Sequence, residues 1–493
     1  MLDARSLNLT LDFCLRVGEL LLSSGAGAAD VTATMRTLAW HFGVRHPDID
    51  VTFTSLAMTY QSSPEEPPLI QIRQVKQRDI DYEDLTSVDH LVRDVLADRV
   101  DLLEARSTLA RIVSSGHLTP RWAVSLAWGV MCGGVGLMLG GGPLVIAVAF
   151  TAAVCIDRSQ LVMQRRRIPY FYQQVAGGGI ATLLALAVAA TPLDVDTSLV
   201  ITANIIMLLA GIGFMGALQD ALSGFYVTAG ARLTEALLAT AGIIAGVSGG
   251  LTIATAANLE IDRIDPGIGS WTSVAVLAGG GAIAAGAFAV ASYAPKRIIL
   301  PIALIAALAM LISQSFVVQG FGRAWPVALA AFFVGLVSYT VAGRLKVPPL
   351  VVVVSAVVPM LPGLSIYRGL ALLAEGDQST SQGLLAMVTA ASVAIALASG
   401  VILGEYVAQP LRREAAKLES RLAGPRLVGP PARTGRAARE ERAAARRERA
   451  TARRQQRTDE RTQKAQERTE REQAEQEARR ARKEQREAAR GRR

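Results

Sequence analysis

The stretch Ile298-Ile-Leu-Pro-Ile-Ala-Leu-Ile-Ala-Ala-Leu-Ala-Met-Leu-Ile-Ser-Gln-Ser-Phe-Val-Val318 is 21 residues long and has no charged side chain. About 20 apolar residues in a helix cross the ~30 Å hydrocarbon layer of a bilayer, so this run reads as a membrane span. Nine other runs share its character: Trp122–Gly140, Pro143–Ile156, Ile168–Thr191, Leu199–Leu218, Leu233–Ala257, Trp271–Ala294, Trp325–Ala342, Val347–Ala374 and Gly383–Val407. Backbone polar groups in lipid must be paired within the chain, and long runs without alternation meet that need as packed helices rather than as a barrel. The expected fold is a polytopic α-helical membrane protein with ten transmembrane helices.

The rest of the composition agrees. Of 493 residues, 51% are hydrophobic and 19% charged, which argues against both a soluble enzyme of this length and a disordered chain. The net charge of +9 is not spread evenly. Residues 411–493 hold 27 Lys/Arg against 14 Asp/Glu, whereas residues 1–121 hold 12 against 17 and residues 122–410 hold 12 against 11. Four regions follow: an N-terminal domain at 1–121, a first five-helix unit at 122–257, a second at 271–410, and a basic Arg/Glu/Ala-rich tail at 411–493. Beyond Val428 the tail has no hydrophobic residue larger than Ala, so it offers no coiled-coil seam and reads as a solvated helix or a disordered segment. Its positive excess suits anionic lipid at roughly 1 kcal/mol per basic residue near the surface, and a nucleic-acid partner is not expected.

Orientation follows from the loops. Arg158, Arg165–Arg167, Arg232, Lys296-Arg297, Arg344, Lys346 and Arg412-Arg413 fall on one side, and the Asp194–Asp196, Glu260–Asp265 and Glu375–Asp377 loops fall on the other. The positive-inside rule then predicts a multi-pass plasma-membrane protein with both termini cytoplasmic. Met1–Thr10 has two opposite charges and no apolar core, so no signal peptide is expected. Ten spans divide into five plus five, and an odd half inserts its partner upside down. Leu209, Gly211 and Leu218 repeat the spacing of Leu361, Gly363 and Leu370, as an inverted repeat would. An oligomer is compatible with this plan.

In the N-terminal domain, Leu7–Ser23, Asp30–Phe42, Asp84–Arg99 and Leu102–Ser115 have helical apolar spacing. Asp48–Ser55 alternates as one half-buried strand, and Leu56–Gln61 and Leu69–Val75 read as further strands of an α/β domain. The chain has four histidines without metal or triad spacing, three cysteines without a disulfide or metal pattern, and no phosphate-binding loop or nucleophile elbow. No enzyme, metal or cofactor is expected. Glu19, Ser24 and Asp30 are the domain's candidate functional residues, set against plain roles as surface charges and a turn residue.

Chemistry is sought inside the spans. The glycines at 133–134, 177–179, 211, 213, 216, 246, 249–250 and 279–281 either let helices pack closely or unwind them. Unwinding is best argued at Val358-Pro-Met-Leu-Pro-Gly-Leu-Ser-Ile-Tyr-Arg-Gly369, where Pro362-Gly363 breaks the ninth span. A half-helix restarting there presents free N–H groups to a carboxylate, with Tyr367 and Arg368 within two turns. Arg368 faces a cavity or partner, or else snorkels at the interface. Between the fourth and fifth spans, Asp220, Tyr226, Arg232 and Glu235 form a second cluster. Asp220 and Glu235, read as lying at helix ends, are candidates to carry the coupling proton. Asn204 in mid-span serves packing or substrate contact, Gly211 belongs with the break, and Asp157 is read as marking a helix end.

Four stretches resemble the threonine/serine exporter family: Gly18-Glu-Leu-Leu-Leu-Ser-Ser-Gly-Ala-Gly-Ala-Ala-Asp-Val-Thr32, Asp50-Val-Thr-Phe-Thr-Ser55, Gly224-Phe-Tyr-Val-Thr-Ala-Gly-Ala-Arg-Leu-Thr-Glu235 and Leu361-Pro-Gly-Leu-Ser-Ile-Tyr-Arg-Gly369. The likeness covers about residues 10–410 and is greatest to the single-chain actinobacterial type. It implies export of threonine and serine driven by the proton motive force. A split, two-chain branch of the family is associated with dicarboxylate export, which is the alternative substrate class. The family's N-terminal part has been regarded as hydrolase-like. A membrane-anchored enzyme or sensor acting through residues 1–121 is therefore the second alternative, although the residues above supply no hydrolase motif.

Overall fold

The computed structural model describes residues 4–63, 65–75, 80–192, 195–208, 211–256, 271–318, 322, 324–375 and 380–422. The readings of the tail beyond Leu422 and of the Glu260–Asp265 loop fall outside them. Met1–Ala416 form one compact unit, and Lys417–Leu422 continue the last helix into a second.

The N-terminal layer starts with α1 (Ala4–Ser23) and α2 (Ala28–His41), followed by β1 (Asp48–Val51), β2 (Ser55–Tyr60) and β3 (Leu69–Gln74). The strands form an antiparallel sheet in sequence order. Leu56 and Met58, alternate residues of β2, are buried against α1, and the sheet's other face carries the exposed Ile70 and Ile72 of β3. One expected strand is in fact a hairpin corner. Asp48–Ser55 turns after Val51, because Thr52 closes the turn on Ser55, its N–H donating to the Ser55 carbonyl at 2.9 Å and its hydroxyl accepting from Ser55 N–H at 3.2 Å. A close approach fixes Gly18 of α1, where an added Cβ would lie 2.5 Å from the sulfur of Met35 on α2. Two helices follow, α3 (Tyr82–Leu96) and α4 (Leu102–Ser114). Asp81 and Asp101 cap them, accepting from the N–H groups of Asp84 at 3.0 Å and Glu104 at 2.8 Å.

The remaining elements are α5 (Arg121–Met138), α6 (Pro143–Arg165), α7 (Tyr170–Ala189), α8 (Thr197–Leu208), α9 (Gly211–Leu222), α10 (Tyr226–Ala256), α11 (Trp271–Ala291), α12 (Lys296–Val318), α13 (Ala324–Leu345), α14 (Pro349–Val357), α15 (Gly363–Glu375) and α16 (Thr380–Leu422). Among the described residues seven helices are long and apolar enough to cross a membrane: α6, α7, α10, α11, α12, α13 and α16. The α8–α9 pair, bent by 42°, makes an eighth candidate span. The chain is a polytopic helical membrane protein.

Two helix ends differ from the sequence reading. α6 runs nine residues past Ile156, so Asp157 lies inside a helix and is buried. α10 starts at Tyr226 rather than Leu233, so Glu235 sits between two and three turns inside it instead of at its end. Each extension carries a charged residue that faces protein, Asp157 in α6 and Arg232 in α10, both buried.

Glycines set the helix crossings. Gly178 and Gly246 bring α7 against α10, and a Cβ at Gly246 would lie 2.1 Å from the Val175 carbonyl oxygen. Gly134 and Gly280 do the same for α5 and α11, and Gly335 and Gly404 for α13 and α16. The N-terminal layer is bonded to several of these helices. Thr228 of α10 donates to the Val51 carbonyl at 3.0 Å, Tyr82 N–H to the Ser292 carbonyl at 2.9 Å, and His90 Nε2 to the Lys346 carbonyl at 2.7 Å.

Candidate functional site

Two departures from straight helix meet. α8 and α9 are inclined to one another by 42°. After α14, a single 3-10 turn (Val358–Met360) leads to Leu361 in extended conformation (φ −62°, ψ 137°), and α15 starts at Gly363. Proline explains the second break: Pro359 and Pro362 lack an N–H, and Pro362 excludes the helical conformation for Leu361. A Cβ at Gly211 would lie 3.1 Å from Leu361 Cβ. The starts of α9 and α15 therefore lie near one point.

That point borders a cavity of about 780 Å³. Gly211, Gly213, Gly216, Pro359, Leu361 and Gly363 line it from the broken helices, and Arg232 and Glu235 line it from α10. The N-terminal layer supplies the opposite wall through Leu22, Ser23, Gly25, Phe53 and Ile80.

A buried charge pair ties the two together. Asp220, in the last turn of α9, and Arg232 of α10 approach to 3.2 Å between Oδ2 and Nε. Both are under one-tenth exposed. Their other contacts come from the turn after α1. That turn is a Schellman end: Gly25 N–H donates to the Leu22 carbonyl at 3.2 Å and Ala26 N–H to the Leu21 carbonyl at 3.0 Å, with Gly25 at φ +95°. It aims the Ala26 carbonyl at Arg232 Nη2 (2.9 Å) and the Ala28 N–H at Asp220 Oδ1 (2.9 Å). The guanidinium also lies 5.8 Å over the Phe53 ring.

A second pair lines the same cavity and was not legible as a site in the sequence. Asp157 of α6 accepts from Arg121 Nη2 at 2.7 Å and from the Ser125 hydroxyl at 2.5 Å. The only signal for it was an acid beside Arg158 at the edge of the apolar run of α6.

The other expected residues are dispersed. Asn204 is fully buried, donates to the Val200 carbonyl at 2.9 Å, and lies away from the cavity lining. Tyr226 is 74% exposed. Pro362 and Tyr367 are buried and Arg368 is half-buried; none of the three lines the cavity. In the layer, Glu19 pairs with Arg73 of β3, Ser24 is buried in the turn, and Asp30 is exposed in the first turn of α2.

The family described as "Putative threonine/serine exporter" matches residues 12–254, and that described as "Threonine/Serine exporter, ThrE" matches residues 278–407. A protein of Mycobacterium tuberculosis named "Probable threonine/serine exporter" is 35% identical over 429 residues, covering 85% of this chain and 80% of its own. The chain belongs to the threonine/serine exporter family. A Corynebacterium glutamicum "Threonine/serine exporter" is 32% identical over 411 residues, 82% of this chain and 83% of that protein. The Escherichia coli "Probable succinate transporter subunit YjjP" is 26% identical over 242 residues, 49% of this chain and 93% of its own. No solved structure matches this exporter-family chain. The four stretches that carry the family likeness all reach this region: the turn at Gly25–Ala28, the corner at Val51–Phe53, the start of α10, and the α15 break.

Proposed function

We propose that this protein is a secondary exporter of threonine and serine across the plasma membrane, driven by the proton motive force. The observation that carries the reading is the meeting of the start of α9 with the α14–α15 break at a cavity lined by Arg232, which pairs with the buried Asp220. A zwitterionic amino acid needs a site of both signs. Helix N-termini and Arg232 attract its carboxylate, and Glu235 or Asp220 its ammonium. Pro362 and Gly363 form the break, and Tyr367 and Arg368 support it from the next two turns. Asn204 and Tyr226 border the same helices. A buried carboxylate that exchanges its proton between the two faces would couple export to the gradient, and Asp220 and Glu235 take that role.

The architecture proposed with it has ten spans: α5, α6, α7, the α8–α9 pair, α10, α11, α12, α13, the α14–α15 pair, and α16. Dividing it into 122–257 and 271–410 makes α7–α10 equivalent to α13–α16. Both crossings are glycine-lined, and Gly134 and Gly280 meet where the two halves' first helices cross. Both supports favour an inverted repeat. Both termini, the layer at 1–121 and the tail from 411 then lie in the cytoplasm, with the tail near anionic lipid.

The test is threonine and serine efflux from dipeptide-loaded cells and from liposomes with an imposed pH gradient. Gradient-dependent efflux is expected; an isolated N-terminal layer that hydrolyses a substrate would overturn the reading. The E. coli relative named as a succinate transporter subunit favours dicarboxylates as the second substrate class, so succinate belongs in the same assay.

A further inference from the structure

The Asp220–Arg232 pair is occupied by a turn that has the polarity of an amino acid. A free zwitterion offers a carboxylate to a guanidinium and an ammonium to a carboxylate. The turn offers Arg232 the Ala26 carbonyl and Asp220 the Ala28 N–H, two residues apart, each at 2.9 Å. We propose that the Ser24–Ala28 turn is an internal competitor of the amino acid at this pair, and that the N-terminal layer thereby gates the cavity and is displaced by substrate. The proposal rests on the export reading and assigns the N-terminal layer its role.

Three features support competition over a merely structural contact. First, both backbone groups are neutral, and a charged carboxylate and ammonium add a direct Coulombic attraction to the same charged partners. Second, Asp220 Oδ2 is buried and accepts no aligned hydrogen bond among the described residues, although Arg232 Nε is 3.2 Å away. A ligand ammonium would use this spare acceptor; the turn does not. Third, the guanidinium is confined: a Cβ at Gly216 would lie 2.7 Å from Nη1, and the Phe53 ring covers the group. Arg232 is held in place while the turn is seated, so a carboxylate that pairs with Nη2 takes the place of the Ala26 carbonyl. Occupancy by the turn scales apparent substrate affinity down to the fraction of layers that are unseated.

The test uses full-length chain in liposomes with the exposed Cys155 replaced by Ser and a reporter cysteine, Ala26→Cys, which keeps the backbone carbonyl. Cys14 and Cys132 are buried. A polar maleimide is applied with threonine, threonine amide or N-acetylthreonine. Threonine is expected to raise the labelling rate about tenfold, the scale of one hydrogen bond to a charged group, and the two analogues, each lacking one charge, are not. Ala28→Pro supplies a second arm. Proline is accepted at the first position of α2, and Gly27 is already extended (φ −68°, ψ 148°). Its ring would occupy the place of Asp220 Oδ1, so the turn is unseated. Labelling is then fast without threonine, and the half-saturating threonine for efflux falls about tenfold. Unchanged labelling in a chain that exports threonine overturns the proposal and leaves the export reading standing. Absence of amino-acid efflux from the same liposomes overturns both.

Discussion

Gly211 and Leu361 touch across the two broken helices, and the contact leaves no room for a side chain: a Cβ on Gly211 would come within 3.1 Å of Leu361 Cβ and 3.3 Å of its Cδ1. Gly211→Val is expected to force the breaks apart at a cost of about 1–3 kcal/mol and to suppress threonine efflux. Leu361→Ala removes the opposing atoms and should restore part of the flux. If the double variant is no better than Gly211→Val alone, the contact does not organise the site.

Asp220→Asn keeps an acceptor for Ala28 N–H but leaves Arg232 buried without its counter-charge. Breaking such a pair costs about 3–5 kcal/mol, so lower expression is expected. In the protein that does reach the membrane, efflux should no longer accelerate with an imposed pH gradient. Arg368→Ala is expected to raise the threonine concentration needed for half-maximal efflux. Both at native levels of flux and equal expression would remove these residues from the site.

Outside the membrane, Asp84 in the first turn of α3 gives a pH prediction. Burial, reinforced by Asp81 at the cap, pushes its carboxyl up to about 6. The folded value lies above the unfolded value of about 4, so the folded chain holds the proton more tightly. The stability this contributes is complete below pH ~4 and is lost as pH rises through about 6. Asp84→Asn should flatten the pH dependence of the melting temperature between pH 4 and 7 and stabilise the fold at pH 7 by about 1–2 kcal/mol after solvent screening. Thermal melts of the detergent-solubilised chain across that range check it.

The glycine crossings predict a contrast within a single helix. Gly246→Ala would set a methyl 2.1 Å from the Val175 oxygen, whereas Gly249 has nothing within 4 Å. The first change is expected to destabilise by at least about 1–3 kcal/mol, and the second to be neutral or to stabilise by up to about 1 kcal/mol. Melting temperatures of the two variants in detergent decide it.

The membrane class was legible because hydrophobic run length answers directly to bilayer thickness. The α15 break was equally plain, since Pro359 and Pro362 each remove an N–H and Pro362-Gly363 disfavours a continuous helix. The corner at Thr52–Ser55 was hidden, because a β-branched alternating run looks the same whether it continues or folds back. The Arg121–Asp157 pair was hidden for a different reason: an acid beside Arg158 at the edge of an apolar run looks like a helix end until packing shows that it faces protein. The roles of Asp220 and Arg232 could be suspected from their position, but their partners are the backbone atoms of Ala26 and Ala28, nearly 200 residues away, and backbone atoms carry no sequence signature.

Thr228 on α10, Ser292 just beyond α11 and Lys346 just beyond α13 are each bonded to the N-terminal layer, through Val51, Tyr82 and His90 respectively. Those attachment points span helices that would have to shift relative to one another if the cavity is to open first to one face and then to the other. A body fastened at these places, and at Arg232 and Asp220 as well, cannot ride with all of them once they separate. In the proposed export cycle at least one fastening slips, and the layer then acts as a mechanical brake whose weakest bond sets how easily the helices rock.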